Sequence, residues 1–341
     1  MADKMGVAIL GTGWVSGEHI KAFQQNPHTE VVAILSRDKG RAEAKAREYG
    51  LANCRGHADL DAILKDDRVR IVSVCTPHHL HVEQGVAAAD AGKHVCMEKP
   101  IAIDLAGLRR LHASVQKARV KTVVSFVLRW NPLLETIKVM LADGTVGGLF
   151  YAEVDYLHGV GPMYPCYEWI IKKEIGASSI LSGGCHAVDA LRWFVGEEAV
   201  EVLAYANTSP SNPYRYEFEP NSVTLVKFAG GRIGKVASCL EVQMPYAFNI
   251  LLCGDQGTIR NNQVFTRRWP GQMGWAAIPT ILPDSGDVSH HPFVGEINHF
   301  VDCILTGRES HCNIADAVKT HEICLATEVS AHEGRPVKLP L

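Results

Sequence analysis

The sequence lacks the features that mark several classes of protein. Its 34 basic and 37 acidic residues give a formal net charge of −3, without a long run of like charges, so nothing favours a nucleic-acid or membrane partner. No apolar stretch approaches the roughly 20 residues that span a bilayer. The opening residues Met1 to Lys4 lead directly into a predicted strand, without the pattern of a signal peptide. We therefore expect a soluble, cytoplasmic protein.

Cysteine usage agrees with that location. The ten cysteines include no C-x-x-C pair and follow no regular spacing. Most of them lie in apolar runs, which is typical of reduced, buried thiols in a cytoplasmic protein. The cysteines in apolar runs are Cys75, Cys96, Cys239, Cys253, Cys303 and Cys324.

Length and composition bound the architecture. With 47% hydrophobic and 21% charged residues the composition is that of a globular protein, and 341 residues are too many for one typical domain. Up to residue 127, short apolar strands alternate with helical patterns, the order that builds a parallel sheet through right-handed crossovers. Beyond it the strands become long and alternating, which is typical of an open, mostly antiparallel sheet with helices on one face. We therefore predict an α/β protein with domains at 1–127 and 128–341.

A glycine turn follows the first predicted strand. It comprises Gly11-Thr12-Gly13-Trp14-Val15-Ser16-Gly17, and a helical pattern continues from it. This strand–turn–helix order is the context of a dinucleotide-binding fingerprint. Gly11 permits the tight turn, and Gly13 lets the backbone approach a pyrophosphate at the helix N-terminus. Because Ser16 occupies the third position of G-x-G-x-x-G, a glycine turn without a nucleotide stays open as an alternative.

The end of the second predicted strand bears on the choice of cofactor. An NAD enzyme carries an acidic residue there, about 20 residues past the glycines, for the ribose 2′-hydroxyl. This sequence has Ser36-Arg37-Asp38 at that point. A hydroxyl followed by a guanidinium suits a 2′-phosphate, since arginine makes charge-assisted hydrogen bonds to phosphate. We therefore favour NADP slightly over NAD. Asp38 in the NAD role, or Arg37 as a solvated loop residue, are the alternatives.

The stretch that ends at Pro100 carries the residue best placed for proton transfer. Val95 to Met97 predict a short buried strand, which Pro100 ends because proline has a fixed φ and no N–H. Glu98 and Lys99 then lie at the carboxyl end of a strand, where open α/β sheets bind their ligands. A lysine held there can donate or accept a proton. The alternative is a surface ion pair between Lys99 and Glu98.

Five motifs occur in order along the chain, and a sixth segment ends it. They are Gly11-Thr12-Gly13 with His19; Thr76-Pro77 with His81; Ala91-Gly92-Lys93-His94-Val95 leading to Glu98-Lys99-Pro100; Arg129-Trp130-Asn131-Pro132; Gly184-Cys185-His186-Ala187-Val188-Asp189; and Pro336-Val337-Lys338-Leu339-Pro340. Together they resemble the glucose–fructose oxidoreductase/inositol dehydrogenase/MocA family over nearly the whole chain.

The resemblance implies a Rossmann domain followed by an open-faced α/β domain, with catalysis in the cleft between them. Members of the family mostly oxidise or reduce a hydroxyl or ketone on a sugar, a cyclitol or a related small molecule. Lys99 matches the catalytic lysine of the family, and His186 matches its catalytic histidine. Asp189 matches an acid one helical turn further on, from which it could orient His186. The alternative for His186 is a helix-start residue satisfied by the backbone.

The cofactor implied by the resemblance is NAD(P). The residues that we expect to bind it are Gly11, Thr12, Gly13, Trp14, Val15, Ser36, Arg37, Cys75, Thr76, Pro77, His81, Glu98, Lys99 and Arg129. We expect no metal, because neither His78-His79 nor His290-His291 has acidic residues at ligand spacing.

One departure from the family pattern concerns the histidine motif. The family usually places an aspartate four residues before the histidine, in D-x-G-x-H, whereas this chain has Ser182 there. A neutral hydroxyl thus replaces a carboxylate that would polarise His186 or bind a substrate hydroxyl. We therefore expect Lys99 and His186 to share the proton transfer, and the similarity to inositol dehydrogenase is a weaker guide to the substrate.

A sugar presents hydroxyl edges and an apolar face, so its pocket should be polar and aromatic. Tyr156 and His158 share one face of a predicted strand, and a segment with several aromatic residues precedes the His186 helix. The expected substrate-binding residues are Lys99, Tyr156, His158, Tyr164, Trp169, Ser182, His186 and Asp189. Tyr167, Lys172 and the pair His290-His291 are further candidates. The alternative is that these aromatic residues belong to the core or to a subunit contact.

Three functions remain compatible with the sequence. The leading one is an NAD(P)-dependent oxidoreductase of sugars or polyols. The second is a glycoside-cleaving enzyme of the same fold that uses tightly held NAD in a transient oxidation, elimination and reduction. The third, a non-catalytic sensor, is disfavoured because a sensor needs neither Lys99 nor His186. An exposed sheet face or edge would favour association, so we expect a homo-oligomer, dimer or tetramer.

Overall fold

The computed structural model describes residues 4–280 and 291–341. In chain order the elements are β1 (Met5–Leu10), α1 (Trp14–Gln25), β2 (Thr29–Leu35), α2 (Lys39–Glu48), β3 (Arg55–His57), α3 (Leu60–Leu64), β4 (Val69–Val74), α4 (His81–Asp90), β5 (His94–Met97), α5 (Leu105–Ala118), β6 (Thr122–Val124), α6 (Pro132–Ala142), β7 (Leu149–Leu157), α7 (Tyr167–Ile170), α8 (Lys173–Gly176), α9 (Cys185–Val195), β8 (Ala199–Asn207), β9 (Asn221–Phe228), β10 (Ile233–Cys239), β11 (Ala247–Gly254), β12 (Gly257–Arg260), β13 (Gln263–Thr266), β14 (Ala276–Ala277), α10 (Phe293–Thr306), α11 (Ile314–Glu333) and β15 (Val337–Lys338). Short 3₁₀ turns cover His78–Leu80 and Val127–Trp130, and a π-helical turn covers Ile180–Gly184.

Among the described residues, the first compact unit contains 4–127 and 292–318. Its six strands form a parallel sheet in the order β3-β2-β1-β4-β5-β6. The central strands β1, β4 and β5 are almost wholly buried, as expected for a parallel sheet covered on both faces. This order reverses direction between β1 and β4, and ligands of such sheets bind at the carboxyl ends beside that reversal. The Rossmann-type domain predicted from the sequence is confirmed.

Helix α10 lies in this first unit, whereas the sequence placed residues 128–341 in one second domain. Its side chains Phe293, Ile297, Phe300 and Val301 are buried. The ring of Phe293 lies 5.1 Å from the ring of His19 on α1, and Nδ2 of Asn26 donates to Oδ1 of Asn298 at 2.8 Å. An apolar helix face must be covered, but its periodicity does not say by which element. The predicted boundary therefore differs from the structure in segment 292–318.

Among the described residues, the second compact unit contains 128–280, 291 and 319–341. Its nine strands follow the order β14-β13-β12-β11-β7-β10-β9-β8-β15, and every pairing is antiparallel except that of β7 with β10. The mostly antiparallel sheet expected from the sequence is therefore confirmed. The short strands β3, β13, β14 and β15 were not predicted, because two to four residues carry too little alternation to recognise.

One face of this nine-stranded sheet is open. Along β9 the inward residues are buried and Val223, Leu225 and Lys227 alternate with them as exposed residues. Tyr205 pairs with Val223 and Ile233 pairs with Lys227, so both lie on the same face. The exposed fraction is 70% for Tyr205 and 52% for Ile233. Large apolar side chains are thus left in solvent on one face of the sheet.

The structure also describes the state of the cysteines and the character of the helices. All ten cysteines are free, although Cys239 and Cys253, expected to be buried, are only half-buried near strand ends. Among the residues that the structure describes, no helix is long and apolar enough to cross a bilayer.

Candidate active site

The glycine turn between β1 and α1 has the shape of a phosphate cradle. Gly11 has a φ of +112°, and a Cβ at this position would lie 2.6 Å from the carbonyl oxygen of Cys75. Gly13 is the N-cap of α1, and no described atom lies within 4 Å of where its Cβ would be. No described side chain caps this helix. The first-turn N–H groups of α1 are thus left for an anion that approaches Gly13.

Ser16 occupies the third glycine position of the fingerprint without disturbing the turn. Ser16 is fully buried, and its hydroxyl donates to the carbonyl oxygen of Gly13 at 2.6 Å. The neighbouring Gly17 takes the close contact instead, because a Cβ there would lie 2.2 Å from the hydroxyl oxygen of Tyr49. The departure from G-x-G-x-x-G therefore leaves the shape of the turn intact.

The end of β2 presents Ser36 and Arg37, as predicted, and assigns Asp38 a structural part. Ser36 is half-buried, and Arg37 is exposed. The carboxylate of Asp38 accepts a hydrogen bond from the N–H of Gly40 at 2.8 Å, so it caps α2. An N-cap carboxylate of this kind stabilises its helix by about 1 kcal/mol. One carboxylate oxygen of Asp38 is therefore already engaged in a hydrogen bond within the protein.

The ends of β4 and β5 are joined by His81, which is fully buried. Its Nε2 lies 2.7 Å from the carbonyl oxygen of Thr76, and its Nδ1 lies 2.7 Å from the carbonyl oxygen of Pro100. Burial lowers the pKa of His81, and a neutral ring carries one N–H, so it donates to one of these oxygens at a time. Thr76 also donates its hydroxyl proton to Oε1 of Gln84 at 2.6 Å.

Lys99 lies at the carboxyl end of β5, as predicted, two residues beyond Met97, and it is half-buried. The N–H of Glu98 donates to the carbonyl oxygen of Val74 at 2.9 Å, which extends the parallel pairing up to the turn. The peptide bond between Lys99 and Pro100 is cis. Glu98 is buried, with Oε1 3.0 Å from Nε2 of His19. Glu98 is therefore a buried partner of His19, and the alternative of a surface ion pair between Glu98 and Lys99 does not hold.

These strand ends lie at one edge of the first sheet. The N–H of Cys75 donates to the carbonyl oxygen of Leu10 at 2.9 Å, which brings the end of β4 beside the glycine turn. Gly11 in turn donates to the carbonyl oxygen of Leu35 at 2.9 Å, which brings the end of β2 to the same place. The structure thus collects the cofactor residues predicted at the ends of β1, β2, β4 and β5 at a single edge.

In the second unit, Arg129 forms a buried ion pair with Asp189. Nε of Arg129 lies 2.7 Å from Oδ2 of Asp189, and Nη2 lies 2.6 Å from Oδ1. The hydroxyl of Thr320 donates to the same Oδ1 at 3.1 Å. Asp189 was expected to orient His186, but its recorded hydrogen bonds go to Arg129 and Thr320. The Arg129–Pro132 motif also starts α6, because Asn131 accepts from the N–H of Leu133 at 2.9 Å.

A cluster of aromatic residues surrounds His158, next to His186. The hydroxyl of Tyr156 lies 3.0 Å from Nδ1 of His158, and the hydroxyl of Tyr164 is hydrogen-bonded to Nε2 of the same ring. The ring of Tyr156 lies 6.4 Å from that of His186, with the planes inclined by 22°. Tyr156, His158 and His186 are buried, and Tyr164 is half-buried. Four of the predicted substrate residues are thus brought together.

The other predicted residues take separate places in this unit. Ser182 is buried within the π-helical turn before α9, and Trp169 is half-buried in α7. The hydroxyl of Tyr167 donates to the carbonyl oxygen of Tyr214 at 3.0 Å, and Lys172 is exposed. His290 lies outside the described residues. Within those residues, no three His, Cys, Asp or Glu side chains are grouped in a way that could hold a metal.

Two residues of this cluster were missed by the sequence reasoning. Tyr246 packs against both Tyr156 and His158, with ring centroids 5.6 Å and 5.1 Å away. Tyr246 directly precedes Ala247, which pairs with Leu157 of β7, so the register of the two strands brings Tyr246 close to His158. No local pattern in the sequence signals this contact. Gly183 is the second, since a Cβ there would lie 2.5 Å from the ring of Tyr156.

The parallel sheet, its glycine turn and the lysine at the end of β5 define the class of a dinucleotide-binding oxidoreductase. The family model described as an oxidoreductase family with an NAD-binding Rossmann fold matches residues 5–126. The model of the GFO/IDH/MocA C-terminal domain matches residues 134–260. The chain belongs to the GFO/IDH/MocA family of NAD-binding oxidoreductases, which confirms the resemblance seen in its motifs.

Relatives that are named as dehydrogenases match nearly the whole chain. The scyllo-inositol 2-dehydrogenase (NAD(+)) of Bacillus subtilis is 25% identical over 348 residues, 99% of this chain and 97% of its own. The D-apiose dehydrogenase of Paraburkholderia graminis is 26% identical over 349 residues, 97% of this chain and 89% of its own. The solved structure of levoglucosan dehydrogenase with NADH and levoglucosan has a TM-score of 0.89 and 23% identity, covering 99% of this chain and 100% of its own, and shows the shared fold.

Proposed function

We propose that the chain is an NAD(P)-dependent dehydrogenase or reductase that transfers hydride between nicotinamide and a hydroxyl or ketone of a sugar, glycoside or cyclitol. The observation that carries this proposal is the position of Lys99, at the same sheet edge as the glycine turn. The names of the full-length relatives, which are dehydrogenases of scyllo-inositol and of D-apiose, support the substrate class.

The cofactor would be held by the first unit. Gly11, Thr12 and Gly13, with Trp14 and Val15 at the start of α1, would bind the pyrophosphate, because the space beside Gly13 at the helix N-terminus is open. Cys75, Thr76, Pro77, His81 and Glu98 line the neighbouring strand ends of this unit. The one expected cofactor residue outside the first unit is Arg129, which belongs to the second. When bound, the nicotinamide accepts or supplies the hydride.

Ser36 and Arg37 would contact the adenosine ribose and favour a 2′-phosphate. Support comes from the exposed guanidinium of Arg37 and from Asp38, whose carboxylate already caps α2. A carboxylate so engaged is a poorer partner for the 2′-hydroxyl that NAD would present. NADP is therefore the slightly preferred cofactor in this proposal.

Lys99 and His186 would handle the proton. A carbinol carbon releases hydride only as its hydroxyl loses a proton, so a base must lie within hydrogen-bond reach of that oxygen. Lys99 supplies an amine for this purpose. His186, a histidine at the start of α9, is suited to pass protons near neutral pH. With Ser182 in place of a carboxylate, these two side chains would do this work without an acidic helper at that position.

The second unit would bind the sugar through its aromatic cluster. Tyr156, Tyr164 and Tyr246 offer ring faces for the apolar side of a sugar, and His158 bridges two of their hydroxyls. A neutral imidazole donates at one nitrogen and accepts at the other, so the two tyrosine hydroxyls are held with opposite polarity. Trp169, Ser182 and Asp189 complete the proposed substrate set.

The open face of the nine-stranded sheet would join two copies of the chain in a cytoplasmic dimer or tetramer. Tyr205, Val223, Leu225 and Ile233 expose apolar surface there. Three charged groups of the same face are paired with one another, since Nζ of Lys235 lies 3.0 Å from Glu153 and from Asp155. The variant Leu225→Lys should lower the mass measured by light scattering, and an unchanged mass would exclude this face.

The experiment that tests the activity is a screen of sugars, glycosides and cyclitols with NAD and with NADP, read by the absorbance of the reduced nicotinamide. The expected result is reduction of the cofactor by at least one compound, and its loss in Lys99→Ala. Cofactor retained through purification, together with cleavage of a glycoside and no net change in absorbance, would instead favour the glycoside-cleaving alternative.

A further inference from the structure

We propose that Ser73, His19 and Glu98 form a buried hydrogen-bonded chain that positions Lys99 through its backbone. This inference rests on the proposed function, in which Lys99 handles a proton. It assigns a part to His19 and Ser73, two buried polar residues that neither bind the predicted cofactor nor reach the substrate in the proposal above.

The geometry of the chain is continuous from β4 to the Lys99 turn. The ring of His19 is fully buried, with Nδ1 2.9 Å from the hydroxyl of Ser73 and Nε2 3.0 Å from Oε1 of Glu98. The other carboxylate oxygen of Glu98, Oε2, accepts a hydrogen bond from the backbone N–H of Lys99 at 3.2 Å. Each oxygen of Glu98 thus has one partner, and one of them is the main chain of Lys99.

The contacts also decide which nitrogen of His19 carries a proton. Glu98 is an acceptor when ionised, so Nε2 of His19 must be the donor toward it. Burial by itself raises the pKa of Glu98, but the hydrogen bond and the charge of His19, with the charge of Lys99, lower it below its usual value. Burial would likewise lower the pKa of His19, yet the surrounding groups, Cys75 and Cys96 foremost, raise it well above 6.5.

The main chain is fixed on both sides of Lys99. Before it, the N–H of Glu98 is bound by the carbonyl oxygen of Val74 at 2.9 Å. After it, the carbonyl oxygen of Pro100 lies 2.7 Å from Nδ1 of His81. The Glu98 carboxylate adds the bond at the N–H of Lys99 itself. Removing that bond would leave the intervening peptide free to rotate, and a displacement of about 1 Å at a reacting group can cost about 100-fold in rate.

Packing alone does not require this arrangement. Taking a carboxylate and an imidazole out of water carries a desolvation cost, and apolar residues of similar volume often serve stability equally well or better. Three buried polar groups here form a chain that ends on the N–H of Lys99. We explain their presence by the position that this chain imposes on Lys99.

Two substitutions of His19 separate positioning from packing, because Gln and Asn each reproduce one ring nitrogen. In His19→Gln the amide can still donate to Glu98, whereas in His19→Asn it can still bond Ser73 but cannot reach Glu98. The readout is the reactivity of the Lys99 amine toward acetic anhydride as a function of pH, measured by peptide mass spectrometry. The exposed Lys65 and Lys117 serve as references in the same sample.

We expect His19→Asn to shift the labelling profile of Lys99 and His19→Gln to leave it close to wild type. If both variants shift it equally, or neither does, the proposal is wrong. Ser73→Ala, which removes the hydroxyl at the other end of the chain and no charge near Lys99, provides the same test if His19→Asn fails to fold, and it should also shift the profile. Because labelling needs no substrate, its outcome is separate from that of the activity screen. With an active substrate in hand, kcat should fall by about 100-fold in His19→Asn but not in His19→Gln.

Discussion

The guanidinium of Arg129 donates hydrogen bonds to both carboxylate oxygens of Asp189, at 2.7 Å and 2.6 Å. Each of the two side chains is no more than 3% exposed. A buried pair of this kind is held by fork-to-fork geometry, and removing one partner leaves an uncompensated charge inside the protein. It links the segment that precedes α6 with the helix that carries His186.

Breaking the pair of Arg129 and Asp189 should destabilise the folded protein strongly. The variant Asp189→Asn is expected to lower the free energy of unfolding by about 3–5 kcal/mol, because the charge of Arg129 would stay buried without its partner. Chemical denaturation measures the loss. The matched control is Glu83→Gln, which breaks the exposed pair with Arg110 and should cost less than about 1 kcal/mol. Equal losses in the two variants would contradict the distinction between them.

Local sequence patterns predicted the helices and strands better than the contacts between distant residues. Helix α5, over Leu105–Ala118, has its start marked by the Asp104 cap and its buried face marked by a regular apolar stripe, and both can be recognised in the sequence. The glycine turn and the position of Lys99 likewise depend on neighbours in sequence. The pairing of Arg129 with Asp189 and of Tyr246 with His158 joins residues far apart in the chain. Such contacts depend on strand register and helix docking, which a single sequence does not reveal.

Glu296 should make stability depend on pH. Burial raises its pKa to about 7 in the folded protein, from an ordinary value of 4.5, and its Oε2 has no hydrogen-bond partner among the described residues. The unfolded chain therefore loses this proton at a lower pH than the folded protein does, so stability falls as pH rises from about 4.5 through 7. Glu296→Gln removes that penalty. Its free energy of unfolding should exceed that of wild type at pH 8 and match it near pH 4.5.

The test of Glu296 is chemical denaturation at both pH values, with the exposed Glu48→Gln as the control. The control should differ from wild type by at most about 0.5 kcal/mol at either pH. A Glu296→Gln protein whose difference from wild type is the same at both pH values would contradict the assignment of this group.

Gly183 should control the aromatic cluster. A Cβ at this position would lie 2.5 Å from the ring of Tyr156, so Gly183→Ala must displace that ring from its place beside His186 and His158. If the cluster binds substrate, KM should rise while the dissociation constant of the cofactor stays near that of wild type. Gly274→Ala, where the added Cβ would meet open space and the backbone has no positive φ, is the control for a glycine replacement in this unit. An unchanged KM in Gly183→Ala would remove the cluster from the substrate site.

Ser36 offers a test of cofactor choice. Ser36→Asp should move the preference from NADP toward NAD, because a carboxylate repels the 2′-phosphate and accepts a hydrogen bond from the 2′-hydroxyl. The measurement is kcat/KM for each cofactor in both proteins. Arg37→Gln should weaken NADP binding without improving NAD, which separates the loss of a cation from the gain of an acid. A wild-type preference for NAD of tenfold or more, about 1.4 kcal/mol, would show that Ser36 and Arg37 do not select the phosphate.

Lys99 is the residue on which the proposed chemistry depends most. If its amine takes up or delivers the substrate proton, Lys99→Ala should lower kcat by roughly 10²–10⁴-fold, the usual size of a general acid–base contribution. Lys99→Arg should fail as well, because arginine does not release its proton in proteins and its planar head differs in shape from an amine. The dissociation constant of the cofactor, measured by fluorescence titration, should change little in either variant, since the glycine turn is untouched. The exposed Lys117→Ala serves as the control for removing a lysine from this unit and should leave kcat unchanged. Near-normal turnover in Lys99→Ala would transfer the proton to His186, and His186→Asn should then abolish the activity that remains.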